Sequence, residues 1–159
     1  MNTIVADKSH IEYIKMVEDH PDNKDFIGAW TIEEHLEALQ NDNYQHLVFE
    51  VEQQLVGYCI LQDLIHPDHS ILLKRFAIDV KGKGYGYQAV EGIKQHVFTH
   101  LQPNRLWLDV RYFNERAMKL YEKANFRKEG IFKKASLMDD QYVDLHIYAM
   151  LREEYEKYT

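Results

Sequence analysis

The sequence has little cysteine and little proline. Its 159 residues include one cysteine, Cys59, and three prolines, Pro21, Pro67 and Pro103. One thiol excludes a disulfide framework within the chain. Cys59 lies inside the apolar run 55–61, where a small buried hydrophobic side chain is its expected role. Because the prolines fall between periodic segments, no linker or repeat is visible, and we expect a single domain over residues 1–159.

Long hydrophobic runs are also missing. No apolar segment approaches the roughly 20 residues that span a bilayer, so no membrane contact is expected. Residues 1–7 lack the basic start and long apolar stretch of a signal peptide, which favours a cytoplasmic protein.

Positive charge is in the minority. The chain has 19 Lys and Arg against 26 Asp and Glu, a net charge of −7. Such a chain is a poor general partner for phosphate backbones, so nucleic acid is not an expected partner. The hydrophobic content of 45% is ordinary for a globular protein and excludes disordered and fibrous classes.

Hydrophobic periodicity predicts the element order α-α-β-β-β-α-β-α-β-β. Capping-box spacings at 9–12 and 31–34 begin the two N-terminal helices. The other elements are strands over 47–51, 55–62, 71–80, 105–110, 131–138 and 142–151, and helices over 85–100 and 114–125. The expected fold class is α/β, with a central mixed, mostly antiparallel sheet that has one parallel β-α-β unit and helices on both faces.

The most informative segment is a glycine-rich turn between a strand and a helix. It contains, in order, Ile78, Asp79, Val80, Lys81, Gly82, Lys83, Gly84, Tyr85 and Gly86. Glycine permits positive φ and removes side chains that block close approach. Successive main-chain N–H groups at a helix N-terminus bind phosphate oxygens, and Lys81 and Lys83 add positive charge there. The alternative is a plain flexible turn.

Two other phosphate-binding motifs compare poorly with this turn. A P-loop would need Gly-Lys-Ser/Thr, which is absent. A dinucleotide fingerprint fits better, since Gly84, Gly86 and Ala89 match its spacing and Asp109 lies about 20 residues further on. Against it, the turn sits in mid-chain with one convincing parallel β-α-β unit, and Asp109 precedes Val110 rather than ending its strand.

Two motifs resemble the GNAT superfamily of N-acetyltransferases. Residues 81–86 are similar to its pyrophosphate loop, Gln/Arg-x-x-Gly-x-Gly/Ala, with lysine in the first position. Residues 114–126 are similar to its next motif, a helix with Asn, Ala and Leu-Tyr, and Asn125 stands where glycine is usual. The preceding strand and the final hairpin also fit, so the resemblance covers about residues 71–150.

The resemblance implies transfer of an acetyl group from acetyl-CoA to a primary amine by direct attack in a ternary complex. The pyrophosphate would lie in the turn, and pantetheine would pair with main-chain groups near Ile78 and Val80, where two strands splay apart. Asn114 and Ala117 would contact the cofactor, although Asn114 is equally a good helix N-cap. Tyr121 would be the general acid that protonates the departing thiolate.

Several expectations stay open at this stage. Many GNAT relatives carry a glutamate where Leu72 stands, so the general base is unassigned, with Glu50, Asp63 and His66 as candidates. The acceptor is a polyamine, an amino acid, an antibiotic amine or a protein N-terminus, and a homodimer is possible. No metal is expected, because His66/His69 and His96/His100 have no further ligands in zinc-site spacing. Alternative functions are a non-catalytic acyl-CoA-binding module and a dinucleotide-dependent oxidoreductase.

Overall fold

A computed structural model describes residues 1–159 as a mixed α/β protein. Its elements are β1 (Asn2–Val5), a 3-10 turn (Lys8–His10), α1 (Ile11–Asp19), α2 (Pro21–Lys24), α3 (Ile32–Leu39), β2 (Tyr44–Val51), β3 (Gln54–Gln62), β4 (Ser70–Ile78), α4 (Tyr85–His96), a π-helical turn (Val97–Leu101), β5 (Arg105–Arg111), α5 (Glu115–Lys123), β6 (Arg127–Met138), β7 (Gln141–Leu151) and α6 (Arg152–Lys157). None of the helices combines the length and apolarity needed to cross a membrane.

All seven strands form one sheet in the order β1-β2-β3-β4-β5-β7-β6. Only β4 and β5 run parallel, joined by the crossover through α4, and every other neighbouring pair is antiparallel. This topology confirms the predicted mixed sheet with one parallel β-α-β unit.

Hydrophobic side chains pack on both faces of the sheet. On one face, α4 and α5 cover a core that includes Phe49, Leu73, Ile93 and Leu108. On the other face, Ile14 and its neighbours in α1 pack against residues of β2, β3 and β4. The expectation of helices on both faces is therefore confirmed.

The elements differ from the sequence-based prediction in several places: the short helices α2 and α6 were not predicted, β6 begins at Arg127 rather than at 131, and three further differences have a clear physical reason. Strand β1 was not predicted, because four residues are too short to show a period-two pattern. The first turn is capped by Asp7 rather than Ser9, since the Asp7 side chain accepts from the Ser9 amide and the His10 ring from the Asp7 amide. The predicted helix 85–100 ends as α4 at residue 96, and its last turn is π-helical.

Two local predictions about helix ends are confirmed. Thr31 caps α3, and its hydroxyl accepts from the Glu34 amide at 3.1 Å. Asn125, which replaces the glycine usual after α5, has a φ of 68°. Asparagine tolerates this left-handed conformation better than most residues, so the chain leaves α5 without glycine.

A β-bulge in β4 governs the shape of the sheet centre. Ile60 of β3 pairs with Arg75 and Leu61 pairs with Leu73, so Lys74 has no partner on β3. A bulge bends its strand and increases the local twist. On its other side β4 pairs with β5 through residues 70–72 only. The two parallel strands therefore separate at the bulge, and their C-terminal halves enclose a gap.

Candidate active site

The gap between β4 and β5 opens into a cavity of about 960 Å³. Its walls come from the C-terminal halves of both strands, the glycine-rich turn, α5 and the segment 21–28 before α3. The predicted splaying of the two strands is thus present in the structure. A ligand lying in the gap would reach from the N-terminus of α4 to the middle of the sheet.

The glycine-rich turn presents unpaired main-chain donors to this cavity. Gly82 and Gly84 have φ values of 78° and 75°, and a Cβ on either would meet nothing within 4 Å. The amides of residues 80–87 donate to no main-chain acceptor, and the first bond of α4 runs from Gln88 to the Gly84 carbonyl. Free N–H groups at a helix N-terminus attract anions, so the turn is suited to phosphate oxygens.

Most of the predicted site residues line the cavity. They are Ile78, Val80, Lys81, Gly82, Gly84, Tyr85, Gly86, Asn114, Ala117 and Tyr121. Asp79 and Lys83 are not part of the lining. The Asp79 amide instead donates to the Val56 carbonyl on β3 at 2.8 Å. The Lys81 ammonium donates to the Asn23 side-chain oxygen at 2.7 Å, which ties the turn to α2.

Asn114 caps α5 and also faces the cavity. Its side-chain oxygen accepts from the Ala117 amide at 3.2 Å, as an N-cap side chain does. This contact occupies the oxygen and leaves the amide nitrogen of Asn114 as a donor on the cavity wall.

Tyr121 lies on the α5 face that packs into the core, and it forms part of the cavity floor. Its side chain is 6% exposed, with its ring against Phe76 of β4 and Phe126. Burial raises the pKa of the Tyr121 hydroxyl, and the charge of Asp109 adds to the rise. The hydroxyl is therefore protonated at neutral pH, as a proton donor requires.

Asp109 is the cavity residue whose role the sequence did not reveal. Leu108 and Val110 point into the core beside α4, so Asp109 points to the opposite face of β5. Asp109 is exposed to solvent in the open cavity, and desolvation by the surrounding protein nevertheless raises its pKa, against the lowering charges of Lys74 and Arg111. The sequence indicated Asp109 only as a candidate ribose ligand, although the alternation of its strand already set it apart from the apolar positions.

The three base candidates from the sequence lie elsewhere. Glu50, Asp63 and His66 are absent from the cavity lining. Glu50 accepts from Asn2 on the neighbouring strand β1, and the His66 ring accepts from the Asp68 amide in the loop before β4.

Cations dominate the charged lining of the cavity. Seven basic residues contribute, namely Lys74, Arg75, Lys81, Arg111, Arg116, Lys119 and Lys123, against the three acids Asp22, Asp109 and Glu115. The whole chain carries a net charge of −7, so positive charge is concentrated at this cavity. Such concentration favours an anionic ligand.

A buried polar network supports one wall of the cavity. Glu18 of α1 is fully buried and accepts from the Tyr58 hydroxyl at 2.8 Å and the Arg75 guanidinium at 2.6 Å. The His35 ring lies 2.8 Å from the same carboxylate and 3.0 Å from His46. Burial acts to raise the pKa of Glu18, but the bond to His35 and the charge of Arg75 outweigh it and lower that pKa.

Comparison with known proteins agrees with this geometry. Residues 14–126 match the acetyltransferase (GNAT) family, which is well over half of the chain. N-acetyltransferase p20 of Bacillus licheniformis is 30% identical over 74 residues, 46% of this chain and 42% of that protein. Spermidine N(1)-acetyltransferase of Vibrio cholerae is 24% identical over 157 residues, 89% of each chain.

Solved structures share the fold at lower identity. A variant of spermidine N-acetyltransferase SpeG from Vibrio cholerae superposes with a TM-score of 0.85 at 20% identity, covering 98% of this chain and 97% of that one. The mixed sheet with its helices therefore belongs to a known fold.

The chain belongs to the GNAT family of acetyltransferases. It is an acyltransferase, as its relatives are named N-acetyltransferases. This assignment selects acyl transfer from the alternatives left open by the sequence, which included a dinucleotide-dependent oxidoreductase and a non-catalytic module.

Proposed function

We propose that residues 1–159 act as one acetyltransferase domain that moves the acetyl group of acetyl-CoA to a primary amine by direct attack in a ternary complex. The observation that carries this proposal is the row of free main-chain amides at Gly82–Gly86, facing a cavity that continues to Tyr121. Acetyl-CoA would supply the activated thioester, and the chain would supply the binding surfaces and the proton transfers.

The phosphate-binding part of the cavity fits the nucleotide end of coenzyme A. The free amides of the turn would bind the diphosphate. Arg116, Lys119 and Lys123 follow at intervals of three and four along α5, so they share one helix face beside the turn. Lys123 lies over the Tyr87 ring at 4.8 Å and holds α5 against α4. These cations would neutralise the remaining phosphate charge.

The free edge of β4 fits the pantetheine arm. Beyond Leu72 this strand has no partner on the β5 side, so its main-chain groups are available to an extended ligand. An amide-containing chain that pairs with such an edge uses the same bonds as an added strand. The arm would then deliver the thioester into the gap, near Tyr121.

The two sides of the gap offer different proton chemistry. Tyr121 lies on the α4–α5 side, and its protonated hydroxyl would donate to the departing thiolate sulfur. Asp109 points to the α1–α3 side, and its carboxylate would bind the ammonium and take one of its protons. An amine with a pKa near 10 is mostly protonated at neutral pH, so such a base is needed.

Replacing Gly84 with aspartate should weaken coenzyme A binding at least about tenfold, which corresponds to ~1.4 kcal/mol. The new carboxylate would sit beside the diphosphate, and its Cβ would occupy space that the structure leaves open. Calorimetric titration of the variant with coenzyme A measures the change.

The matched control for this prediction is Gly130→Asp. Gly130 also has positive φ and open space around it, but it lies on β6 outside the cavity lining. Equal affinities of native and Gly84→Asp proteins, or equal losses in both variants, would contradict the diphosphate assignment.

Tyr121→Phe should lower kcat by about tenfold with little change in the KM for acetyl-CoA. The ring keeps its packing against Phe76 and Phe126, so binding is preserved while the proton donor is lost. The factor lies below the usual range for general acids because a thiolate leaves without full protonation. Steady-state kinetics measure both constants, and an unchanged kcat would remove Tyr121 from this role.

The general test of the function is an acetylation assay with acetyl-CoA and a panel of amine classes. The names of the relatives make spermidine and other polyamines candidates, beside amino acids, antibiotic amines and protein N-termini. Release of free coenzyme A that depends on an amine supports the proposal. Tight binding of acetyl-CoA without turnover on every amine would identify a non-catalytic module.

A further inference from the structure

The α1–α3 side of the gap carries a compact set of charges that the coenzyme does not need. Ile71 and Leu73 face the α4 side before the bulge in β4, and Phe76 and Ile78 face it after the bulge. The two residues between, Lys74 and Arg75, therefore both turn to the opposite face. Alternation along β5 brings Asp109 and Arg111 to that same face.

The four side chains differ in how far their charges are neutralised. Arg75 forms an ion pair with Glu18 at 2.6 Å and stacks over the Trp30 ring at 5.0 Å. The Lys74 ammonium lies 5.7 Å from the centre of the same ring and has no carboxylate within ion-pair distance. The cavity wall thus has one neutralised guanidinium and one free ammonium on β4.

Strand β5 adds one free cation and one free anion. The Arg111 guanidinium donates to the Asp25 carbonyl at 2.6 Å through one nitrogen, and its other nitrogens remain available. The Asp109 carboxylate takes part in no hydrogen bond or ion pair within the chain, although Lys74 and Arg111 are close enough to lower its pKa. An unpaired carboxylate flanked by two incompletely paired cations makes a dipolar surface.

Burial strengthens the preference of this surface for an anion over a second ammonium. Burial lowers the pKa of Lys74, and the charge of Arg75 lowers it further. Burial and the charge of Arg75 likewise lower the pKa of Arg111, while Asp109 and Asp25 oppose that change. Both cations are thus partly desolvated, and the nearby acids, with Asp109 first among them for each, offset that effect only in part. A second ammonium brought here would be repelled, whereas an anion would be attracted.

We propose that the acceptor is a small amino carboxylate, which places its ammonium against Asp109 and its carboxylate between Lys74 and Arg111. This inference rests on the proposed function and narrows its substrate class. A diamine or polyamine satisfies Asp109 equally well, but its second ammonium would meet Lys74 and Arg111. The apolar side chains of Phe26 and Ile27, which line the cavity, then pack against the carbon chain between the two charges.

The test uses amines of equal chain length that differ only in the distal group. The native chain is assayed with acetyl-CoA and 5-aminopentanoate, pentylamine or 1,5-diaminopentane. We expect kcat/KM to fall in that order, with the amino carboxylate at least about tenfold above the diamine, a difference worth ~1.4 kcal/mol. Higher kcat/KM for the diamine would overturn the inference and leave the acetyltransferase function intact.

Variants that change the charge of Lys74 or Arg111 identify the residues responsible for the preference between the two substrates. Arg111→Glu should lower kcat/KM for 5-aminopentanoate and raise it for 1,5-diaminopentane. Lys74→Gln should also reduce the preference for the amino carboxylate over the diamine. Lys128→Glu, at an exposed position on β6, is the control and should leave the ratio unchanged. Circular dichroism verifies folding of each variant. If the ratio of kcat/KM for 5-aminopentanoate to kcat/KM for 1,5-diaminopentane is unchanged in both the Lys74 and the Arg111 variant, the inference is overturned.

A binding measurement separates this inference from the proposed function. Thermal shift with coenzyme A present is measured for 5-aminopentanoate and 1,5-diaminopentane, and it needs no turnover. Stabilisation by the amino carboxylate alone supports the inference, even if no amine is acetylated. A lack of acetylation would count against the acetyltransferase function only. Stabilisation by the diamine alone, or by neither ligand, would overturn the inference.

Discussion

Asp109→Asn lowers kcat/KM for the amine by roughly a hundred- to a thousandfold at neutral pH, the range typical for loss of a general base. Asparagine keeps the shape of the side chain, but it neither attracts an ammonium nor accepts its proton. Asp109 lies on the opposite side of the gap from the glycine-rich turn, so affinity for acetyl-CoA should stay within about twofold of the native value. Steady-state kinetics and calorimetric titration measure these quantities.

The pH profile distinguishes a base from a merely structural residue. Desolvation by the surrounding protein raises the pKa of Asp109. Since the ionised carboxylate is the form that acts as a base, native activity should fall as the pH drops through that pKa. In Asp109→Asn the amine must lose its proton to water before it attacks. Activity of the variant therefore keeps rising up to the pKa of the amine, near 10, and the defect shrinks at alkaline pH.

The control for this experiment is Asp68→Asn, an exposed aspartate in the loop before β4. It should behave as the native chain at every pH. A defect in Asp109→Asn that is the same at pH 7 and pH 10 would assign Asp109 a structural role and reopen the search for the base.

The glycine-rich turn and the helix after it could be predicted because their signals are local. Gly82 and Gly84 adopt the positive φ values that glycine permits, and the amides that follow are free because they begin a helix. Asn114 likewise caps α5, because its side-chain oxygen accepts from the amide of Ala117 three residues further on. Each of these features depends on residues within one helical turn, so the sequence was sufficient.

The arrangement across the gap could not be predicted, because it depends on the register of distant strands. The bulge at Lys74 is defined by pairing with β3, and no local pattern marks it. Without the bulge, Lys74 and Arg75 would alternate between faces. Asp109 shares a cavity with these two residues only because β5 stops pairing with β4 after Leu72. Long-range register therefore brings ordinary charged residues together into the proposed binding surface.

The buried network around Glu18 gave a weak signal that sequence analysis did not use. Glu18 lies seven residues after Ile11 and four after Ile14, so it shares their core-facing side of α1. A carboxylate on that side implies a buried partner. That partner, Arg75, is 57 positions away, and no pattern along the chain connects the two residues.

Glu18→Ala should reduce the free energy of unfolding by about 3–5 kcal/mol, the range measured when one member of a buried ion pair is removed. The change leaves Arg75, which is 7% exposed, without a counter-ion, and it deprives the Tyr58 hydroxyl of its acceptor. A whole domain is stable by only about 5–15 kcal/mol, so this loss would be a large share of the total. Urea unfolding followed by tryptophan fluorescence measures the loss.

Two further variants establish the cause of this loss. Glu12→Ala removes an exposed carboxylate from the same helix and should change stability by less than about 0.5 kcal/mol. Removing both charges with Glu18→Leu and Arg75→Leu together should recover much of the stability lost in Glu18→Ala, because no buried charge then lacks a partner. If the double variant is less stable than Glu18→Ala, or if Glu18→Ala costs under about 1 kcal/mol, the guanidinium finds compensation elsewhere. The network would then not be what joins α1 to the cavity wall.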